Sequence, residues 1–263
     1  MPMLVTLQLL AFLLPAAQAQ ETQENAVTKP SPVSLDFGAK LKSKHVWNGK
    51  VSYDSWNLQP DFTFSAYGLF FNAWACVPVT QAYGSEVDLS LGYEIGPVSL
   101  SVIDFYYTAS AEEARLFTQP FFTWDARDNG RVHQTYVLLG FAGVKKFPIS
   151  INVGTLVFGD YDKDKFELWE KGQEGGAIKP NWSTYIELGY SHTLSTGQTL
   201  SYRLGGTPHK GFFFDRGAGI TNIQFSITQP FKITDSYTIP VTGDIHLNPA
   251  YEQLYFVLAV QLF

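Results

Sequence analysis

The chain has 263 residues, 45% of them hydrophobic and 16% aromatic, with 18 basic side chains against 24 acidic ones and a formal charge of −6. That balance argues against a nucleic-acid binder, which needs a basic face. Beyond the N-terminal segment no apolar run reaches the roughly 18 residues of a spanning helix, so no helical membrane span is predicted.

Met3 to Ala17 is an uncharged apolar run followed by the small-x-small triplet Ala17-Gln18-Ala19. This predicts a secretory signal peptide over 1–19, cleaved before Gln20. Residues 20–32 are polar, include Pro30 and Pro32, and read as a flexible periplasmic leader. About 240 residues then remain, enough for one barrel or one large β-domain. Cys76 is the only cysteine, so an intrachain disulfide is ruled out, and it lies too far from the cleavage site to carry a lipid anchor.

From Val33 onward the pattern has period two. Val33, Leu35, Phe37, Ala39 and Leu41 alternate with Ser34, Asp36, Lys40 and Lys42. Val87, Leu89, Leu91, Tyr93 and Ile95 alternate with Glu86, Asp88, Ser90 and Glu94. Ile223, Phe225 and Ile227 flank Gln224 and Ser226 in the same manner. The predicted strands are 33–45, 57–66, 69–79, 85–95, 97–108, 133–146, 148–159, 182–194, 198–206, 218–229, 235–246 and 250–263. Each is about ten residues long, enough to cross a bilayer when tilted, and their number is even. Every second connection is a tight turn, at Ala66-Tyr67-Gly68, Gly96-Pro97, Phe147-Pro148, Ser195-Thr196-Gly197 and Phe231 to Thr234. The others are mostly long and polar, at 44–56, 109–132, 160–181 and 207–217. This segregation predicts an all-β, antiparallel transmembrane barrel over 33–263, with short periplasmic turns and long extracellular loops.

Two places break the pattern. The phase slips near Ile103-Asp104, which predicts a bulge. Pro240 falls inside a strand, where it removes a ladder donor and predicts a bulge or a local break. The last strand is apolar on both faces, and its Leu254, Phe256, Leu258, Val260 and Leu262 face is assigned to lipid. An open strand edge this apolar would template aggregation, whereas a closed barrel has no edge.

With the polar faces turned inward, the lumen is lined by Asp36, Lys40, Lys42, Glu86, Asp88, Glu94, Glu187, Arg203 and Asp244, since a charge at mid-bilayer costs about 2–4 kcal/mol. Two interpretations stand side by side: an aqueous pore with an acidic bias, and a set of internal salt bridges that plugs the barrel. Aromatics gather where strands meet loops, at Trp47, Tyr53, Trp56, Tyr106, Tyr107, Trp124, Trp169, Trp182 and Phe212 to Phe214. A headgroup girdle is the expectation for them, with stacking inside loops or ligand contact as the alternative. Asp160, Asp162 and Asp164 have the spacing that opens a calcium loop, but Lys165 and Lys171 take the glycine and closing-glutamate positions, so no metal site is predicted. The five histidines show no spacing that joins one to a serine nucleophile, and Ser191 and His192 point to opposite faces of a strand. No catalytic residue and no cofactor are predicted.

Two resemblances add to this reading. The C-terminal strand resembles the closing strand of bacterial outer-membrane barrels, in which a terminal aromatic such as Phe263 is an assembly signal; Gln261 departs from that pattern. Ser43-Lys44-His45-Val46-Trp47-Asn48-Gly49, then Leu58-Gln59-Pro60, Asn72-Ala73-Trp74-Ala75, Glu86-Val87-Asp88 and Gly92-Tyr93 are similar in order and spacing to small outer-membrane porins of the TorF type. The similarity covers about 35 to 95 and is looser over 184–205. Asn48 replaces the arginine common before the glycine. The resemblance implies a Gram-negative outer-membrane location, contact with outer-membrane lipid and the barrel assembly machinery, and passive diffusion of small solutes. A barrel with a plugged lumen whose loops bind a ligand or partner is the alternative function, and a membrane hydrolase a third.

Overall fold

A computed structural model describes residues 32–80, 84–108, 121–124, 132–162, 167, 171–172 and 179–263. The expected signal peptide, the leader up to residue 31, Asp164, Lys165 and Trp169 lie outside the described residues.

The strands are β1 (Val33–Lys42), β2 (His45–Trp47), β3 (Lys50–Tyr53), β4 (Asn57–Ala66), β5 (Leu69–Pro78), β6 (Glu86–Ile95), β7 (Val98–Tyr107), β8 (His133–Phe141), β9 (Ser150–Phe158), β10 (Thr184–Thr193), β11 (Thr199–Thr207), β12 (Gly219–Lys232), β13 (Thr238–Asn248) and β14 (Gln253–Gln261). Twelve of them form one closed antiparallel barrel, and β2 and β3 pair only with each other. The closing seam is short. β1 and β14 share the pairs from Lys40↔Gln261 to Lys42↔Ala259, whereas β1 and β4 pair along the whole of β1. Leu262 N–H to the Ala39 carbonyl and Ser43 N–H to the Leu258 carbonyl, both 2.8 Å, extend the seam at its two ends.

The outer surface is an apolar band. Leu35, Phe37, Leu91, Leu100, Leu139, Ile186, Leu188, Leu254, Phe256 and Leu258 are all exposed on it. The inner surface is polar, with Asn72, Ser90, Ser101, Asn152 and Ser226 all buried. This inversion of an ordinary protein is what a lipid-embedded barrel requires. On β14 the leucine face points out as expected, and Val257 and Ala259 point in. Leu258→Arg places a charge on that outer face and should lower barrel stability by roughly 2–4 kcal/mol near mid-membrane. The check is the fraction of heat-modifiable barrel recovered from membranes, and wild-type levels would mean that the assignment of this face is inverted.

The five short connections lie on one rim and the long ones on the other. Tyr67 and Gly68 have φ of 52° and 89°, the left-handed pair of a tight hairpin. The connection between β8 and β9 is longer than expected. β8 ends at Phe141, and Val144 and Phe147 then bridge a separate turn over residues 142–149. Lys145 and Lys146 fall at the rim in consequence, where both can stay hydrated. On the other rim the final connection, 249–252, is also short.

Neither predicted irregularity occurs. β7 pairs without a register shift on both flanks, so Ile103-Asp104 is not a bulge. The change of phase along the sequence arises because Ile103 and Phe105 turn inward against other aromatics, and Asp104 turns outward to His133. Pro240 sits opposite Pro230 in an unbroken β12–β13 ladder. Each lies just past the end of the ladder on its other flank, at Thr199↔Thr228 and Val241↔Val260, so no donor is missed. The register shifts of the barrel lie elsewhere, at Thr135/Tyr136 and at Gly205/Gly206, where Thr221 of β12 is the extra residue, and a third falls at His45/Val46 in the β2–β3 pair.

Candidate functional site

The loop between β1 and β4 turns into the barrel. Asn48 and Gly49, with φ of 51° and 81°, make a two-residue turn between β2 and β3. That geometry is the one an Asn-Gly pair favours, because both residues tolerate left-handed backbone. The tip docks on the bulge of β12. Thr221 Oγ1 donates to the Asn48 carbonyl at 3.0 Å, and Asn248 Nδ2 donates to the Gly49 carbonyl at 2.8 Å. A Cβ on Gly49 would lie 1.7 Å from the Thr221 carbonyl oxygen, so only glycine fits here.

Side chains fix the rest of the hairpin. The Trp47 ring packs against Phe105, Tyr136, Phe212 and Phe213 at centroid distances between 5.2 and 5.9 Å. Phe212 and Phe213 come from the loop 208–218, which also turns inward, and Phe213 is fully buried. Lys50 Nζ donates to the Phe212 carbonyl at 3.0 Å and lies 4.7 Å from the centre of that ring. Gln59 donates to His45 Nδ1 at 3.1 Å, and the His45 ring meets Trp74. Tyr136 and Tyr185 owe their inward course to glycines on the neighbouring strands. A Cβ on Gly154 or Gly205 would strike the respective ring within 2.1 Å.

This arrangement corrects the girdle expectation. Trp47, Tyr53, Tyr107, Phe212 and Phe213 are inside the barrel or its inward loops, and Trp56 and Trp182 are exposed. The spacing along the chain places these rings near a rim, but it does not say which of them turn inward.

Beneath the hairpin is a cavity of about 210 Å³ lined by Trp47, Trp74, Glu86, Asp88, Phe105, Tyr136, Asn152, Glu187 and Arg203, among others. The predicted lumen residues all lie on inward positions, but they do not form one cluster. Glu187 and Arg203 face each other across the cavity wall at 3.2 Å. Glu86 accepts a hydrogen bond from Tyr53. Asp88 is buried, and its Oδ1 has no partner. Asp36 accepts from Ser34 at 3.1 Å, and Asp244 accepts from Gln224 at 3.4 Å. Glu94 is exposed beside the short-turn rim. Lys40 and Lys42 lie on β1, and among the described residues neither is in an ion pair. The carboxylates of β6 therefore do not bridge to Lys40, Lys42 or Arg203. A folded segment of chain occupies this part of the lumen, and among the described residues the ion pairs of the plug interpretation are limited to Glu187–Arg203.

Towards the short turns the lumen is lined by hydroxyls. Ser191 with Ser201, Thr193 with Thr199, and Thr228 with Thr242 bond across neighbouring strands at 2.7 to 2.8 Å. Short hydroxyl side chains leave room for water and satisfy one another along the wall. The described histidine hydrogen bonds reach Gln59, Asp104, the Phe121 and Lys210 carbonyls, and Asn222, and none reaches a serine. Asp160, first of the three spaced aspartates, accepts from Asn181 at 3.1 Å.

A closed, edgeless barrel that is apolar outside and polar within defines a transmembrane β-barrel protein. No family model and no curated protein matches the chain. Among solved structures it is similar to an outer-membrane channel from Pseudomonas putida F1, at 10% identity over 93% of this chain and 98% of that one, with a TM-score of 0.38.

Proposed function

We propose that this protein is an outer-membrane channel that passes small solutes with a preference for cations, and that the inward hairpin sets its narrowest point. The observation that carries this is the lumen itself: a hydroxyl-lined half leads to a cavity in which Glu86 and Asp88 have no cationic partner among the described residues. Fixed negative charge in a confined space favours cations, because little solvent is present to screen it. Outer-membrane lipid would surround the apolar band, and the barrel assembly machinery would recognise the last strand with Phe263. Planar-bilayer recording of the refolded protein tests the proposal. Stepwise conductance with a reversal potential on the cation side is expected, and Glu86→Gln with Asp88→Asn should move that potential towards anions while heat-modifiability persists. Silent bilayers would overturn it.

The second reading, a plugged barrel whose loops bind a partner, draws on one observation, the filling of the long-loop half by the hairpin and Phe213. The same recording separates the two. In either case the long loops would face the exterior. A tag beside Gly172 should be reached by antibody on intact cells and one beside Gly197 should not; labelling in the opposite sense would reverse the orientation.

A further inference from the structure

We propose that the cavity beneath the hairpin is a recognition site for a small organic cation, an alkylammonium group held by Asp88 and Glu86 and walled by Trp47, Trp74 and Phe105. This deepens the channel reading and rests on it, since the cavity lies inside the lumen between the two rims.

Register sets the geometry. Asp88 on β6 has Trp74 of β5 as its direct partner on one side and Phe105 of β7 on the other. All three point inward, so a carboxylate stands between two aromatic rings. Trp47 closes over them from the hairpin, 5.2 Å from the Phe105 ring. Aromatic faces attract a desolvated cation through the ring quadrupole, and Trp does so best.

Two of the cavity's polar atoms lack donors. Asp88 Oδ1 and Asn152 Oδ1 both belong to residues lining the cavity, and both are acceptors without a partner on side chains only 6% and 8% exposed. Buried acceptors of this kind are ordinarily satisfied, and an N–H-bearing or positively charged guest answers them. Arg203 already serves Glu187 on the opposite wall, which leaves the β6 carboxylates for the guest. The volume, about 210 Å³, suits a compact molecule. An inorganic ion fits less well, because hard cations take several oxygen ligands. Among the described residues no three His, Cys, Asp or Glu side chains are grouped for a metal, and the cross-strand neighbours of Asp88 are rings rather than oxygen ligands.

The test is tryptophan fluorescence and calorimetric titration of the refolded full chain in detergent with tetramethylammonium chloride. Its neutral isostere tert-butanol, and potassium and calcium chloride at matched ionic strength, serve as comparisons. Saturable binding of tetramethylammonium alone is expected. Asp88→Asn and Trp74→Leu should each weaken it about tenfold, and Asp36→Asn, a lumen carboxylate outside the cavity lining, should leave it unchanged. Heat-modifiability establishes that each variant is folded. No saturable response, equal binding of tert-butanol or calcium, or full affinity in both Asp88→Asn and Trp74→Leu would overturn the site. Binding is read without conductance, so the two proposals fail separately. Silent bilayers with intact amine binding would remove the channel and keep the site. A conducting protein blind to the amine would do the reverse.

Discussion

Replacing Lys44–Ser55 with a two-residue Asn-Gly turn should raise single-channel conductance several-fold. Lys42 and Asn57 are paired across the β1–β4 ladder, so a short turn can join them without disturbing the wall. The excised segment carries Trp47, which packs inside the lumen against Phe105 and Tyr136, and the backbone that docks on Thr221 and Asn248. Single substitutions grade the effect. Trp47→Ala removes a ring packed against four others, and loss of such a side chain costs about 3–5 kcal/mol. Against a docked hairpin held otherwise by a few hydrogen bonds of about 1 kcal/mol each, that loss favours the undocked state. Gly49→Ala should act in the same direction, because the new Cβ meets backbone rather than a mobile side chain. Bilayer recording of variants that retain heat-modifiability is the check. An unchanged conductance in the excised variant would mean that the constriction lies elsewhere.

Much of this fold is legible in the sequence because a barrel wall repeats one rule. Between Glu86 and Ile95 every second residue is apolar, and the strand follows that alternation with no register shift against either neighbour. The inward hairpin escapes a reading of the sequence, although its signal is present. Asn48-Gly49 between Val46-Trp47 and Lys50-Val51 is a strong two-residue hairpin turn. A long polar connection nevertheless reads as solvated loop, and nothing local says that it will fold back into its own barrel. The dock for the hairpin is equally hidden. Thr221 becomes a bulge only because Gly205 and Gly206 pair with Asn222 and Ile220, a property of two strands together. Asp88 stands in the predicted lumen, but the rings that flank it belong to other strands, and their register is not visible in any one segment.

The outward face of the barrel holds one further prediction. Among the described strand residues that point to lipid, Asp104 is the one carboxylate, and it sits beside His133. His133 Nδ1 is 2.9 and 3.1 Å from the two Asp104 oxygens, and Nε2 donates to the Phe121 carbonyl at 2.7 Å. Trp124 stacks on the imidazole at 4.2 Å, and the Tyr106 and Phe121 rings also lie against it. His133 is 2% exposed, so no water replaces a lost partner. Asp104→Ala should therefore destabilise the barrel by roughly 1–3 kcal/mol, the cost of leaving a buried hydrogen-bonding group without its partner. His133→Leu in the same chain should recover most of that loss, because two apolar side chains suit this surface better than one orphaned polar group. Urea unfolding in lipid vesicles, followed for both single variants and the double variant, measures the coupling. Wild-type stability of Asp104→Ala, or losses that simply add in the double variant, would show that the pair contributes nothing to holding β7 against β8.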